Sequence, residues 1–272
     1  MKKIPEMILL SSLILLFAGH VTSQCEVENP AFKYGEKLTY EVSYNWGIMW
    51  IKAGKVTFDI DTIRSGNKNC FHFISTGTSY SFYDWFYKVR DTFTSVADKK
   101  TLLPVEFHRN TSEGNYTVNN SYIFNWDEGR IISSTENSKK PLTVDTIDVA
   151  SCTFDVLSAV YYTRTLNFSD KTPGYEVIIR FIVDGEFYEI PVKYLNKEII
   201  KNRDGIEYKC IKFSARLVAG TIFKEGKEIF VWVTDDKNKI PVMVEASIIV
   251  GSVKAYLSGY QGLKYKLNSR IE

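Results

Sequence analysis

Val96-Ala-Asp-Lys-Lys-Thr-Leu-Leu-Pro104-Val105 recurs in the second half of the chain as Val233-Thr-Asp-Asp-Lys-Asn-Lys-Ile-Pro241-Val242, with five of ten aligned positions identical and the same spacing from Val to Pro. A second match precedes each copy. Arg64-Ser-Gly-Asn-Lys-Asn-Cys70-Phe-His-Phe answers Arg203-Asp-Gly-Ile-Glu-Tyr-Lys-Cys210-Ile-Lys-Phe, and a fainter echo pairs Tyr40-Glu-Val with Tyr175-Glu-Val. Self-similarity on this scale means one β-rich unit used twice, which constrains the architecture before any strand is assigned.

Working outward, the flanking segments read as strands. Leu38, Tyr40, Val42 and Tyr44 alternate onto one face, the period of a half-buried strand. Residues 48–60 form another such run, interrupted at Ala53-Gly54, where a bulge or a close backbone approach is expected. Asp184-Gly185 is the signature of a compact hairpin turn. Between the halves the period changes. Phe154, Leu157, Val160 or Tyr161, and Arg164 recur at helical spacing, with Asp148, Ser151 or Thr153 placed to cap the start. The stripe is apolar nearly all round, so this helix belongs inside. The expected fold is mainly β: a large antiparallel β-meander forming an open barrel or folded sandwich, from two tandem β repeats around one central helix. The repeat halves run from about 35 to 147 and from about 172 to 270, the helix spans about 151–167, and residues 24–272 form one domain.

The first 23 residues read as a secretory signal. Lys2 and Lys3 precede an apolar run, Ile8 to Ala18, and a Val21-Thr22-Ser23 cleavage site. The run is shorter than the roughly 20 residues of a membrane span, and no second one follows. Gln24 before Cys25 argues against lipidation at that cysteine. The chain carries 34 basic and 32 acidic residues, a balance without the basic stripe that nucleic acid requires. In an oxidising compartment Cys25, Cys70, Cys152 and Cys210 allow two disulfides in three connectivities, or four buried thiols.

Catalytic chemistry is sparsely represented. After signal removal the histidines are His72 and His108. Glu106 joins them as the acid–base or metal constellation to test, against the ordinary reading of strand histidines with satisfied hydrogen bonds. There is no nucleophile elbow, phosphate-binding loop, dinucleotide fingerprint or His-Glu-x-x-His. No catalytic residue, metal or cofactor is assigned, and an enzyme is not expected. The densest aromatic block is Tyr80-Ser-Phe-Tyr-Asp-Trp-Phe-Tyr87, which suits either the lip of an apolar cavity or a short, partly helical connection over a sheet end.

Phe32-Lys-Tyr-Gly35-Glu36-Lys-Leu38-Thr-Tyr40, Ala53-Gly54, Thr153-Phe-Asp155-Val-Leu157-Ser158-Ala159-Val-Tyr-Tyr162-Thr-Arg164, Val231-Trp-Val-Thr-Asp235 and Gly251-Ser-Val-Lys-Ala-Tyr-Leu257 together resemble the exported bacterial family known as domain of unknown function 3108. The Lys, Asn, Ile and Tyr richness looks bacterial, and the Asp-Thr-Ile triads at 61 and 145 resemble the short O-glycosylation sites of exported Bacteroidetes proteins. The resemblance implies a large β-meander in the cell envelope, likened to capsule-export lipoproteins and more loosely to lipoprotein carriers. Its motifs are structural and carry no activity. The expected function is that of a periplasmic or exported protein of a Gram-negative envelope. It would bind a lipid, another amphiphile or a glycan in a concave β surface lined by Trp46, Trp50, Tyr80, Trp85, Phe86 and Trp232. The alternative is a structural or assembly factor acting through protein contacts.

Overall fold

The computed structural model describes residues 25, 27, 30–46, 49–216, 228–248 and 251–271; the stretch read as a signal, 1–23, lies outside them. The strands of the first half are β1 (Lys37–Trp46), β2 (Met49–Ser65), β3 (Lys68–Ser79), β4 (Val89–Asp98), β5 (Pro104–Glu113), β6 (Tyr116–Asn125), β7 (Arg130–Asn137) and β8 (Lys140–Asp148). A three-residue strand, β9 (Thr153–Asp155), leads into the helix α1 (Val156–Thr163). The second half contributes β10 (Glu176–Val183), β11 (Glu186–Lys201), β12 (Glu207–Arg216), β13 (Glu228–Thr234), β14 (Pro241–Ser247), β15 (Ser252–Gln261) and β16 (Arg270–Ile271).

All of them join one sheet, in the order β8-β7-β6-β5-β4-β3-β2-β1-β15-β14-β13-β12-β11-β10-β9, with β16 added beside β12. The meander is antiparallel throughout except for β9, which pairs with β10 in parallel. The ends of this order, β8 and β9, do not pair, so the barrel is open. Its two ends overlap instead. The β10–β11 turn tucks against the inner side of β5 and β6, where Arg109 Nη1 and Asn120 Nδ2 donate to Asp184 Oδ1 at 3.0 and 2.8 Å. The Gly185 amide donates to the Tyr122 hydroxyl at 3.1 Å. Asp184 and Gly185 both have positive φ, 52° and 79°, as a two-residue hairpin turn demands.

The sequence repeat has a backbone counterpart. Leu102 and Lys239 occupy the same aligned position and are both left-handed, with φ of 58° and 46°. In each copy the residue after proline, Val105 or Val242, is the extra residue of a bulge. The bulge expected at Ala53-Gly54 is also present. Val42 faces Gly54 and Ser43 faces Lys52, leaving Ala53 unpaired. A Cβ on Gly54 would sit 2.4 Å from the Thr78 carbonyl oxygen, so no larger residue fits there.

The helix differs from expectation in length and cap. Residues 153–155 extend as β9 because they pair with Arg180 to Ile182. Asp155, with φ −82° and ψ 171°, is the N-cap, not Asp148, Ser151 or Thr153. Its Oδ1 accepts from the Leu157 and Ser158 amides at 2.7 and 2.9 Å, and Ser158 Oγ accepts from the Asp155 amide at 3.1 Å. That is a capping box with an aspartate–serine pair. A β4 hydroxyl, Ser95 Oγ, donates to the same carboxylate at 2.6 Å, tying the helix start to the sheet.

The helix then fills the concavity of the first half. Tyr161 stacks on Phe73 with ring centroids 3.8 Å apart and meets Phe32 edge-on at 5.0 Å. Phe154 stacks on Tyr162 at 4.4 Å. Leu157, Ala159 and Tyr161 are buried with Phe71, Phe73, Phe107, Tyr122 and Ile131 from the sheet. Val160, on the far side, is 41% exposed, so the helix is not enclosed all round. Of the cysteines, Cys25 and Cys152 form a disulfide, while Cys70 and Cys210 are free and buried. Cys70 on β3 and Cys210 on β12 have five strands between them and are not side by side.

Candidate functional site

Strand register decides which way each aromatic points. Across β2, β1, β15, β14 and β13 one row runs Lys52–Ser43–Lys254–Glu245–Phe230. The next runs Glu41–Tyr256–Met243–Trp232–Lys212 across β1 to β12. Val231 and Val233, of opposite parity, belong to the face that packs on Phe168 and Leu166 beyond the helix. Trp232 therefore stands on the outer face, and Trp50, two residues from Lys52, shares it. Both were expected on the concave face. The physical reason is the packing partner: the inner face is covered by the helix segment, and the outer face buries a second core under residues 200–208 and Leu267. Trp232 is 5% exposed, with Lys212 Nζ 4.6 Å from its ring and its indole N–H donated to Glu198. Trp50 lies under Lys254 Nζ at 4.9 Å. Trp46 ends β1, and its side chain lies outside the described residues.

Tyr80, Trp85 and Phe86 gather elsewhere, at the end of the sheet where β3 passes to β4. They flank a short 3-10 turn, Ser81–Tyr83. The segment is fastened at both ends. The Tyr80 amide donates to the Ala53 carbonyl at 2.9 Å. Arg90 Nη2 and Nη1 donate to the two Asp84 carboxylate oxygens at 2.5 and 3.2 Å, and Ser79 Oγ donates to Asp84 Oδ1 at 2.5 Å. The Arg90 bonds, then that of Ser79, hold the Asp84 carboxyl below the usual range. From this fixed turn the aromatics point outward: Trp85 is 82% exposed, Phe82 75% and Phe86 66%. Phe82 was not singled out from sequence. Phe82 lay inside the quoted block, but nothing in its spacing told an outward ring from an inward one.

The histidines share the outer face of β3 and β5. His108 Nε2 is 2.6 Å from Glu106 Oε1, both side chains about half exposed, while His72 is separated from Glu106 by Val96 in the same row. No group of three or more metal-ligating side chains occurs among the described residues.

A polar patch lies on the inner side of β4 and β5 beneath the aromatic turn. Asp91 Oδ1 accepts from the Ser112 amide at 3.2 Å. Burial first, and then the Glu113 charge, push its carboxyl up to about 6. A folded pKa above the unfolded one means the folded state holds the proton more tightly. Asp91 therefore disfavours folding increasingly as pH rises from about 4 through 6. Asp91→Asn is expected to gain stability relative to wild type over that interval, with the difference level above pH 7. Urea unfolding of both proteins at pH 4.5 and 7.5 measures it, and a pH-independent difference would sink the assignment.

Among the described residues, two of the surface clefts are of note. One, of about 420 Å³, is formed within residues 260–270. The other, of about 380 Å³, lies between the segment after α1, with Asn167 and Phe168, and the β13–β14 turn, with Asp235 and Lys239. None of Trp50, Tyr80, Trp85, Phe86 and Trp232 lines either one.

Among the described residues no helix is long and apolar enough to cross a membrane, and the Cys25–Cys152 pair is compatible with export. No curated protein matches the chain. Among solved structures it is similar to a β-barrel-like protein of domain of unknown function DUF1849 from Brucella abortus, with a TM-score of 0.54 and 8% identity, covering 85% of this chain and 98% of that one. At that identity the likeness carries the fold alone. Residues 39–258 match the model of the family described as protein of unknown function (DUF3108), and the chain belongs to that family.

Proposed function

We propose that this is an exported envelope protein without a catalytic role, which holds an apolar or amphiphilic ligand against its aromatic rim and not inside the barrel. The observation that carries this reading is the outward cluster of Phe82, Trp85 and Phe86 on a turn pinned by Asp84 and Arg90. The concavity itself is taken by α1 and its stacked rings. Large apolar side chains held out in water in one place mark a contact surface, and indole and phenyl rings suit either an acyl chain or a sugar face.

Trp85 is the most exposed aromatic, so quenching of its fluorescence by a brominated fatty acid reads the site directly. The double variant Trp85→Ala/Phe86→Ala is expected to weaken binding at least tenfold, since covering each ring is worth about 1.5–3 kcal/mol when complete. Equal affinity would remove the rim from consideration. Extraction of the protein purified from its native envelope, followed by mass spectrometry, separates an acyl ligand from a glycan.

The second reading, an assembly factor working through protein contacts, is favoured by β8. Its outer edge is unpaired among the described residues, and Leu142 and Val144 are 58% and 61% exposed, a template for strand addition. A folded Val144→Pro variant with the phenotype of a deletion would favour it over the ligand-binding reading.

A further inference from the structure

We infer that the aromatic rim docks on the surface of a lipid bilayer with anionic headgroups. This rests on the rim-binding reading above and names the partner. Three consecutive turns make up the rim. The β3–β4 connection meets the β5–β6 turn, where the Gly114 amide donates to the Lys88 carbonyl at 2.8 Å and a Cβ on Gly114 would stand 3.0 Å from the Tyr87 ring. That turn meets the β7–β8 turn, where the Ser138 amide donates to the Thr117 carbonyl at 3.0 Å.

Two properties of this edge select a bilayer over a single dissolved amphiphile. The aromatics project into solvent from an exposed turn, and neither of the clefts described above includes them. A lone acyl chain would be covered on one side only, whereas a planar interface covers all the projecting rings at once. The composition is also that of an interfacial anchor: Trp and Tyr, which settle at headgroup depth, beside Phe, which enters the acyl region.

Charge adds the headgroup preference. Lys88, Lys139 and Lys140 are exposed on these turns. Of the nearby acids, Asp84 is turned into Arg90 and Asp91 onto the Ser112 amide, while Glu113 lies beside Asp91 and is half-buried. Each lysine near an anionic surface strengthens binding on the order of fivefold. Because Asp84, Arg90 and Ser79 already hold the turn, docking need not order it first.

The test is co-sedimentation of the full purified chain with phosphatidylcholine vesicles, with and without phosphatidylglycerol. Wild type is expected to bind the anionic vesicles, less so at high salt. Trp85→Ser/Phe86→Ser should lose at least tenfold on both compositions. Lys88→Gln/Lys139→Gln/Lys140→Gln should lose binding to the anionic vesicles alone. Near-ultraviolet circular dichroism verifies that each variant is folded, which exposed positions should permit. Wild-type failure to sediment with vesicles, or unchanged sedimentation of the aromatic variant, overturns the inference. If wild type still binds the brominated fatty acid below its micelle concentration, only the bilayer partner is wrong. If it binds neither, the rim-binding reading falls too.

Discussion

Replacing Arg164 with methionine is expected to cost about 3–5 kcal/mol of unfolding free energy, because it strands a buried carboxylate. Arg164 and Glu36 are 3% and 1% exposed. Nη1 donates to Glu36 Oε1 at 2.5 Å, Nη2 to Oε2 at 3.1 Å, and Nη2 also to the Asn238 carbonyl at 3.0 Å. The guanidinium lies 5.3 Å from the Phe32 ring centre and 5.7 Å from that of Tyr161. One side chain thus joins the residue before β1, the end of α1 and the β13–β14 turn. Without it Glu36 must take up a proton or leave the core, and both options cost free energy. The double variant Glu36→Gln/Arg164→Met removes the stranded charge and should lose clearly less than the two single variants summed. Urea unfolding of the four proteins measures this. A loss under about 1 kcal/mol for Arg164→Met would show that the pair is hydrated and not part of the core.

Removing the disulfide is expected to be comparably damaging. Cys25 and Cys152 are 127 residues apart in sequence with Cα atoms 5.6 Å apart, so the bridge closes a very long loop. Closing such a loop is worth about 2–5 kcal/mol, with the chain-entropy account near the upper end. The bridge pins the lead-in segment to the turn before β9, next to the bond from the Val27 amide to the Lys100 carbonyl at 2.7 Å. Cys25→Ser/Cys152→Ser should melt well below the oxidised wild type and close to the reduced one. Thiol titration checks the pairing independently. Burial, then the Glu198 charge, push the Cys210 thiol up to about 12. Burial first, then Asp98, also raises that of Cys70. The native oxidised protein should therefore show no reactive thiol, and the denatured protein two. A Cys70→Ser variant that destabilises like Cys25→Ser would contradict the assigned pairing.

Much of the scaffold was legible because local rules govern it. Asp184-Gly185 announced its turn, Ala53-Gly54 its bulge, and the paired Val-to-Pro segments carried a left-handed residue and a bulge at matching places. The helix was legible in existence but not in extent. Residues 153–155, expected within it, were claimed by β9, a pairing with Arg180 to Ile182 that no local propensity reports. The site was read less well for a related reason. Trp50 and Trp232 alternate as strand residues should, but alternation gives two faces and does not say which is inside.

From the amino-acid order alone come the β class, the duplicated unit, the internal helix, the position of the aromatic block and the absence of familiar catalytic motifs, all consequences of period and turn chemistry within a few residues. The rest needed the folded chain. Which two of four cysteines meet, that Asp155 caps the helix while Ser95 braces it, that Arg164 finds Glu36, and that Trp85 faces outward while Trp232 is buried depend on contacts between distant residues. Such contacts depend on how the sheet rolls and overlaps itself, a property of all its strands together.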